Sequence, residues 1–220
     1  MSRIAKALTT AEAHHQESRG MTSGPQPRFF ELDFDVYVPG RWYLAEPTLP
    51  SGQEVEDIWT FTEGRHVDVR EQLRIPLSRP GQPLDFDKTT VAGTPILSER
   101  CAAVFRALAP RDVQLLPIEV EGQRAPFFLL NVVRTVACID DAACAEARRW
   151  TPEDGRPDLV GTYHVVAELR IDVSKVGEAH VFRPWGYCPP ILVAGDIKDA
   201  WEREGLVGAL FRDATAPRRA

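Results

Sequence analysis

An α+β fold, with a mixed and mainly antiparallel sheet, two or three packed helices and a β-rich N-terminal half, is what this 220-residue chain predicts. Three features carry the prediction. The run FFELDFDVYVPG at residues 29–40 alternates apolar with polar side chains, the period of two that marks a strand with one buried face. The runs SERCAAVFRAL and AGDIKDAWEREG place apolar residues at helical spacing behind capping side chains. Eighteen prolines and 15 glycines punctuate what lies between, which predicts short strands and irregular connections.

Residues 1–27 read as a polar extension, flexible or helical, that ends in the Gly- and Pro-containing segment MTSGPQPR. His14 and His15 are expected to be solvated there, and Met21 is a candidate start. A single domain is expected over residues 28–215, followed by a tail at 216–220. In its first strand Phe30, Leu32, Phe34, Val36 and Val38 form the buried face, and Glu31, Asp33 and Asp35 project from the other. Two readings of that acidic row stand. It keeps an outer strand soluble, or it recognises something basic.

From residue 40 to 93 the segments RWYL, DIWTFTE, LRIPLS and PLDFDKTTV read as short strands. His66 and Asp68 alternate along GRHVDVR and are taken as surface residues. Ser98 caps a helix whose first turn holds Glu99 and whose apolar stripe is Val104, Phe105 and Leu108, stopping before Pro110. Residues 112–133 then read as two strands joined by a turn at Glu121–Arg124. The second contains FFLL, apolar on both faces, so it belongs in the middle of a covered sheet. Residues 139–158 suggest a short helix and a polar loop, and 160–172 another strand, with His164 on it, before a turn near Gly177. Asp196 is placed to cap a second helix that turns Ile197, Ala200 and Trp201 to the core and stops at Gly205. LVGALF is the final strand.

With 32 acidic against 26 basic side chains, the formal charge is −6, which argues against direct binding to the nucleic-acid backbone. No apolar run approaches the roughly 20 residues of a membrane-spanning helix, and the N-terminus lacks an apolar segment with a cleavage site. A cytoplasmic protein is expected. Cys101, Cys138, Cys144 and Cys188 form no C-x-x-C pair and have no histidine at ligand spacing, so reduced, metal-free thiols are expected.

A search for chemistry returns no nucleophile elbow, phosphate-cradling loop or zinc-hydrolase motif. Asp85 with Asp87, and Asp140 with Asp141, read as solvated turn acids rather than an acid–base pair. Neither a cofactor nor a catalytic residue is predicted. In FRPWGYCPP, residues 182–190, the rings of Trp185 and Tyr187 sit among prolines and glycine. They serve either as a lid folded over the sheet or as interface anchors.

The segments TPILSERCAAVFRAL, VQLLPIEVEG, FFLLNVVRTVACID and HVFRPWGYCPPILVAGDIKDAWEREGLVGALF occur here in the order seen in a family of bacterial immunity proteins. Over residues 94–213 the chain resembles the eleventh immunity-protein family of polymorphic toxin systems, of myxobacterial type. That resemblance implies a cytoplasmic inhibitor without an active site, which binds a cognate protein toxin, in some relatives a nuclease, and protects producer and kin. The toxin-facing residues would be Glu31, Asp33, Asp35, Trp185 and Tyr187. Two other classes remain open: a small-molecule enzyme whose site gathers dispersed residues such as His164 and His180, and a scaffold subunit that engages its partner through Trp185 and Tyr187.

Overall fold

The computed structural model describes residues 27–215; the expected tail, and the extension with His14, His15 and Met21, lie outside the described residues. The N-terminal half contributes strands β1 (Phe29–Phe34), β2 (Tyr43–Leu44), β3 (Leu73–Ile75), β4 (Leu77–Arg79), β5 (Phe86–Lys88) and β6 (Pro95–Ser98). Helix α1 (Glu99–Leu108) leads into the hairpin of β7 (Val113–Val120) and β8 (Phe127–Val132), and then β9 (Thr135–Val136). After β10 (Glu146–Arg149), β11 (Tyr163–Ala167), β12 (Val181–Pro184) and β13 (Ile191–Ala194), helix α2 (Gly195–Glu204) leads into β14 (Ala209–Asp213).

These strands make two five-stranded sheets, in the orders β14-β1-β13-β12-β9 and β3-β7-β8-β6-β5, with two-stranded ribbons β10-β11 and β2-β4. Pairing is antiparallel except for β12 with β9 and β3 with β7, so the sheets are mixed and mainly antiparallel. Both sheets are apolar on two faces because both faces are covered. In β1, Phe30 and Leu32 point into a central cluster shared with α1, α2 and the second sheet, whereas Phe29 points into a cluster under the β10-β11 ribbon. In β8, Leu130 and Val132 join the central cluster while Phe127 and Leu129 pack on Trp42 and Phe61 behind the second sheet. Burial of this kind is worth about 1.5–3 kcal/mol per large side chain.

Local rules explain the helices. The Ser98 hydroxyl accepts the Cys101 N–H at 3.3 Å, and Cys101, Ala102, Val104 and Phe105 line the core. Helix α2 stops where Gly205 adopts φ 61°. Asp196 is not its cap: it lies in the first turn, with Ala194 at the cap position, and its carboxylate binds His180 Nδ1 at 2.8 Å.

Other departures from expectation have physical causes. Strand β1 ends at Phe34, because the Asp35 carboxylate turns the chain by accepting the Tyr37 N–H at 2.9 Å, which leaves Val36 and Val38 outside the strand. It is not an outer strand, since β13 and β14 flank it. DIWTFTE is a 3-10 turn, Ile58–Thr62, capped by Asp57. His66 and Asp68 are exposed, but on no strand. The expected helix after Ile139 is a turn capped by Asp140, followed by β10. LVGALF pairs only from Ala209. Asp85 and Asp87 are not solvated; they are 8% and 1% exposed.

The two sheets meet at a seam between β5 and the turn after α2. There Phe86 N–H donates to the Val207 carbonyl at 3.2 Å, and Asp35 N–H to the Gly208 carbonyl at 2.9 Å. Asp85 closes the seam, accepting the Ser98 hydroxyl at 2.6 Å and the Val207 N–H at 3.1 Å. Gly208 has φ 107°, and a β-carbon there would fall well under 3.0 Å from the Phe86 carbonyl oxygen, which is backbone and cannot yield. At Gly205 nothing lies within 4 Å. Gly208→Ala is therefore expected to cost ~3 kcal/mol or more and Gly205→Ala ~1 kcal/mol, measured by urea unfolding. Equal costs at the two positions would contradict a close backbone seam.

Candidate functional site

Between the end of β1, the end of β5 and the loop after β12 lies an open groove of about 930 Å³. Four of its lining side chains, Val36, Tyr43, Trp59 and Val91, are large, apolar and 37–62% exposed. Each stands out from the surface because a neighbour is buried or anchored. Trp42 is fully buried against Phe127, with ring centroids 5.3 Å apart, so Tyr43 faces outward. In the 3-10 turn Phe61 goes to the core and Trp59 to solvent. The turn bearing Val91 is held by Glu46, whose carboxylate accepts the N–H groups of Val91 at 2.6 Å and Ala92 at 3.1 Å.

The segment after the 3-10 turn is strapped to the second sheet by two side-chain amides, the buried Asn131 and the half-buried Gln114. Asn131 Nδ2 donates to the Arg65 carbonyl at 2.9 Å and to Gln114 Oε1 at 2.7 Å, and Gln114 bonds both backbone groups of Val67. Arg41 and Lys88 also line the groove. The Arg41 guanidinium lies 5.0 Å from the Phe34 ring and 4.7 Å from the Tyr43 ring, and its Nη1 reaches Asp87 Oδ1 at 2.7 Å. Both side chains of that pair are shielded from water, at 8% and 1% exposure. Burial pushes the Asp87 carboxyl up, against the backbone N–H of Lys88 and the Arg41 charge that pull it down.

Lys88 and Pro189 also line a second pocket of about 500 Å³, together with Glu31, Asp33, Glu168, Tyr187 and Arg212. The structure thus brings together three of the five residues expected at the interface, Glu31, Asp33 and Tyr187, and leaves out Asp35 and Trp185. Trp185 is 50% exposed at the end of β12, where its N–H donates to the Val136 carbonyl at 2.8 Å. The acids do not form an unpaired row. Asp33 accepts Lys88 Nζ at 2.9 Å and Arg212 Nη1 at 3.1 Å, while Glu31 shares Arg212 at 3.8 Å. Glu168 is the one non-glycine among the described residues with positive φ, at 46°.

The residues proposed for chemistry are taken up in structure. His164 stacks on Trp150 with centroids 3.7 Å apart, and His180 binds Asp196. Asp141 accepts the Tyr163 hydroxyl and pairs with Arg149, and burial first, then Asp141, pushes the Tyr163 phenol up to about 12. Cys101, Cys138 and Cys144 are buried free thiols, Cys188 a half-buried one, and burial raises all four. Among the described residues no group of three or more His, Cys, Asp or Glu could hold a metal ion, and no helix is long and apolar enough to cross a membrane. What the arrangement offers is a concave apolar surface beside a pocket whose acids Glu31 and Asp33 are paired with Lys88 and Arg212.

Sequence reasoning missed Trp59 through a period error, and Tyr43, Val36 and Val91 because burial of Trp42 and the turns at Asp35 and Glu46, which set them outward, depend on neighbours the local pattern does not show. Read as a strand, Trp59 and Phe61 share a face; in a 3-10 turn they diverge by about 120°. Asp57, a capping residue directly before Ile58, was the available signal.

An immunity protein family model (Imm11) matches residues 16–216. The match reaches well ahead of residue 94, takes in part of the extension, and includes every residue of the groove. No curated protein matches the chain.

Burial pushes the Glu31 carboxyl above its usual range, opposed by Arg212 and Lys88 and reinforced by Asp33. Burial also pushes Asp33 up, but Lys88, the Phe34 N–H and Arg212 together hold it below its usual range. A raised carboxyl binds its proton more tightly when folded, so Glu31 costs stability as pH rises above its unfolded value of about 4.3. A depressed one stabilises above about 3.9 and loses that contribution as pH falls through its folded value. At pH 7, Glu31→Gln is expected to leave the urea midpoint equal or higher, and Asp33→Asn to lower stability by about 1–2 kcal/mol, a loss that shrinks as pH falls below about 3.9.

Proposed function

The chain belongs to the Imm11 immunity protein family, and we propose that it neutralises a cognate protein toxin by docking the apolar groove and the adjoining acidic pocket onto it. The observation that carries this reading is the clustering of Val36, Tyr43, Trp59 and Val91 around one concavity, since large exposed apolar side chains gathered on a rigid frame mark protein-binding surfaces. The family implies an inhibitor rather than an enzyme, and the groove needs no reacting group to act as one.

The toxin we propose is a nuclease of a polymorphic toxin system, met in the cytoplasm of producer and kin. Support comes from charge: an enzyme that grips nucleic acid presents a basic surface, and this chain carries a formal charge of −6, with Glu31, Asp33 and Glu168 outnumbering Lys88 and Arg212 in the pocket beside the groove. The free thiols accord with a reducing compartment. Asp35 and Trp185 remain candidates at the margin of this surface.

The test is binding and protection against the toxin domain encoded beside the gene. Trp59→Ala and Val91→Asp are expected to weaken binding about 30-fold or more each, the effect of losing a hot-spot side chain, and to leave the urea midpoint of the free protein unchanged. Glu31→Gln should lower the association rate at low salt and have less effect at high salt. Wild-type affinity in both apolar variants, with binding lost instead in Trp185→Ala, would move the interface to the loop after β12.

A further inference from the structure

The loop after β12 reads WGYCPP, and its last two residues, Pro189 and Pro190, have no backbone N–H to give. Backbone bonds tie its first half, Trp185 N–H to the Val136 carbonyl at 2.8 Å and Tyr163 N–H to the Gly186 carbonyl at 2.9 Å, but the carbonyls of Cys188 and Pro189 need a donor from elsewhere. That donor is Arg183. Its Nη1 donates to the Cys188 carbonyl at 2.5 Å and to the Pro189 carbonyl at 3.1 Å, and Cys188 and Pro189 are a wall of the groove.

Arg183 is 1% exposed, and among the described residues no carboxylate pairs with it. Its Nε is buried without a partner, and burial pushes the guanidinium down to about 10. A buried cation held by carbonyl dipoles alone is a poor source of general stability, because desolvation offsets what the hydrogen bonds return.

We propose that Arg183 is a positioning residue, which latches the 185–190 loop so that Cys188 and Pro189 stand as a preformed groove wall. The assignment of a purpose to that wall rests on the docking reading above, whereas the latch itself can be tested without any toxin. Preformation matters because a partner then pays no ordering cost for the loop on binding.

Cys188 is the reporter, since the other three cysteines are buried. Burial holds its thiol up and the Arg183 charge pulls it down. Removing the guanidinium while the loop stays in place would leave less thiolate and slow modification. Releasing the loop would do the opposite.

The experiment is native-state labelling of the whole protein with an aromatic disulfide reagent, with sites assigned by peptide mass spectrometry, for wild type, Arg183→Met and Arg183→Lys. Expected is at least a tenfold faster modification of Cys188 in Arg183→Met and an intermediate rate in Arg183→Lys, with Cys101, Cys138 and Cys144 still protected. An unchanged or slower Cys188 rate in both variants overturns the latch. So does a rise shared by all four cysteines, which would make Arg183 a support of the whole fold. Should Arg183→Met not fold, the Lys variant alone decides by the same criteria. A released Cys188 in a protein whose Trp59 variants bind toxin normally would leave the latch standing and remove the docking reading.

Discussion

Two sheets that share one apolar core must also be joined at their margins, and the seam of Phe86, Val207 and Gly208 is where this molecule meets that constraint. Backbone touches backbone there, with no room for a side chain at Gly208. Because β5 is fixed to the turn that enters β14, and β14 pairs with β1, the residues of β5 come to lie beside the end of β1. Asp87 and Lys88 then meet Arg41 and Asp33, and the groove opens between elements that are far apart in the chain. The floor of the site is a consequence of the seam.

Buried acids and amides do much of the joining. Asp85 links β5, α1 and the turn after α2, while Asp112 accepts the N–H groups of His180 and Val181 at 2.8 and 3.1 Å and so ties the start of β7 to β12. Asn131, fully buried in β8, secures the segment behind Trp59. Short strands leave many backbone groups without ladder partners, and each of these side chains satisfies at least one of them. Glu31 behaves differently. It is desolvated and shares its cation with Asp33, so its burial costs stability rather than adding to it.

The chain's most regular stretch, from Ser98 through the β7-β8 hairpin, holds no reacting group because it is the frame. The groove walls are a 3-10 turn, two tight turns and a proline loop mounted on that frame. Strand ends and turns are where apolar side chains can be left uncovered by the fold's own layers.

By itself the sequence determined the fold class, the capped helix α1, the left-handed stop of α2 at Gly205, the β7-β8 hairpin and the central place of FFLL. These follow from periodicity and capping within a few neighbouring residues. It also carried the acidic residues and Tyr187 that meet in one pocket. Only the tertiary structure decided that β1 lies between two strands, that Asp85 and Asp87 are buried, and that Trp59 faces solvent. In each case the deciding neighbour is distant in sequence: Arg41 lies far from Asp87, and Val207 from Asp85. Burial and pairing of that kind depend on which strand is laid beside which, and a local pattern holds no record of it.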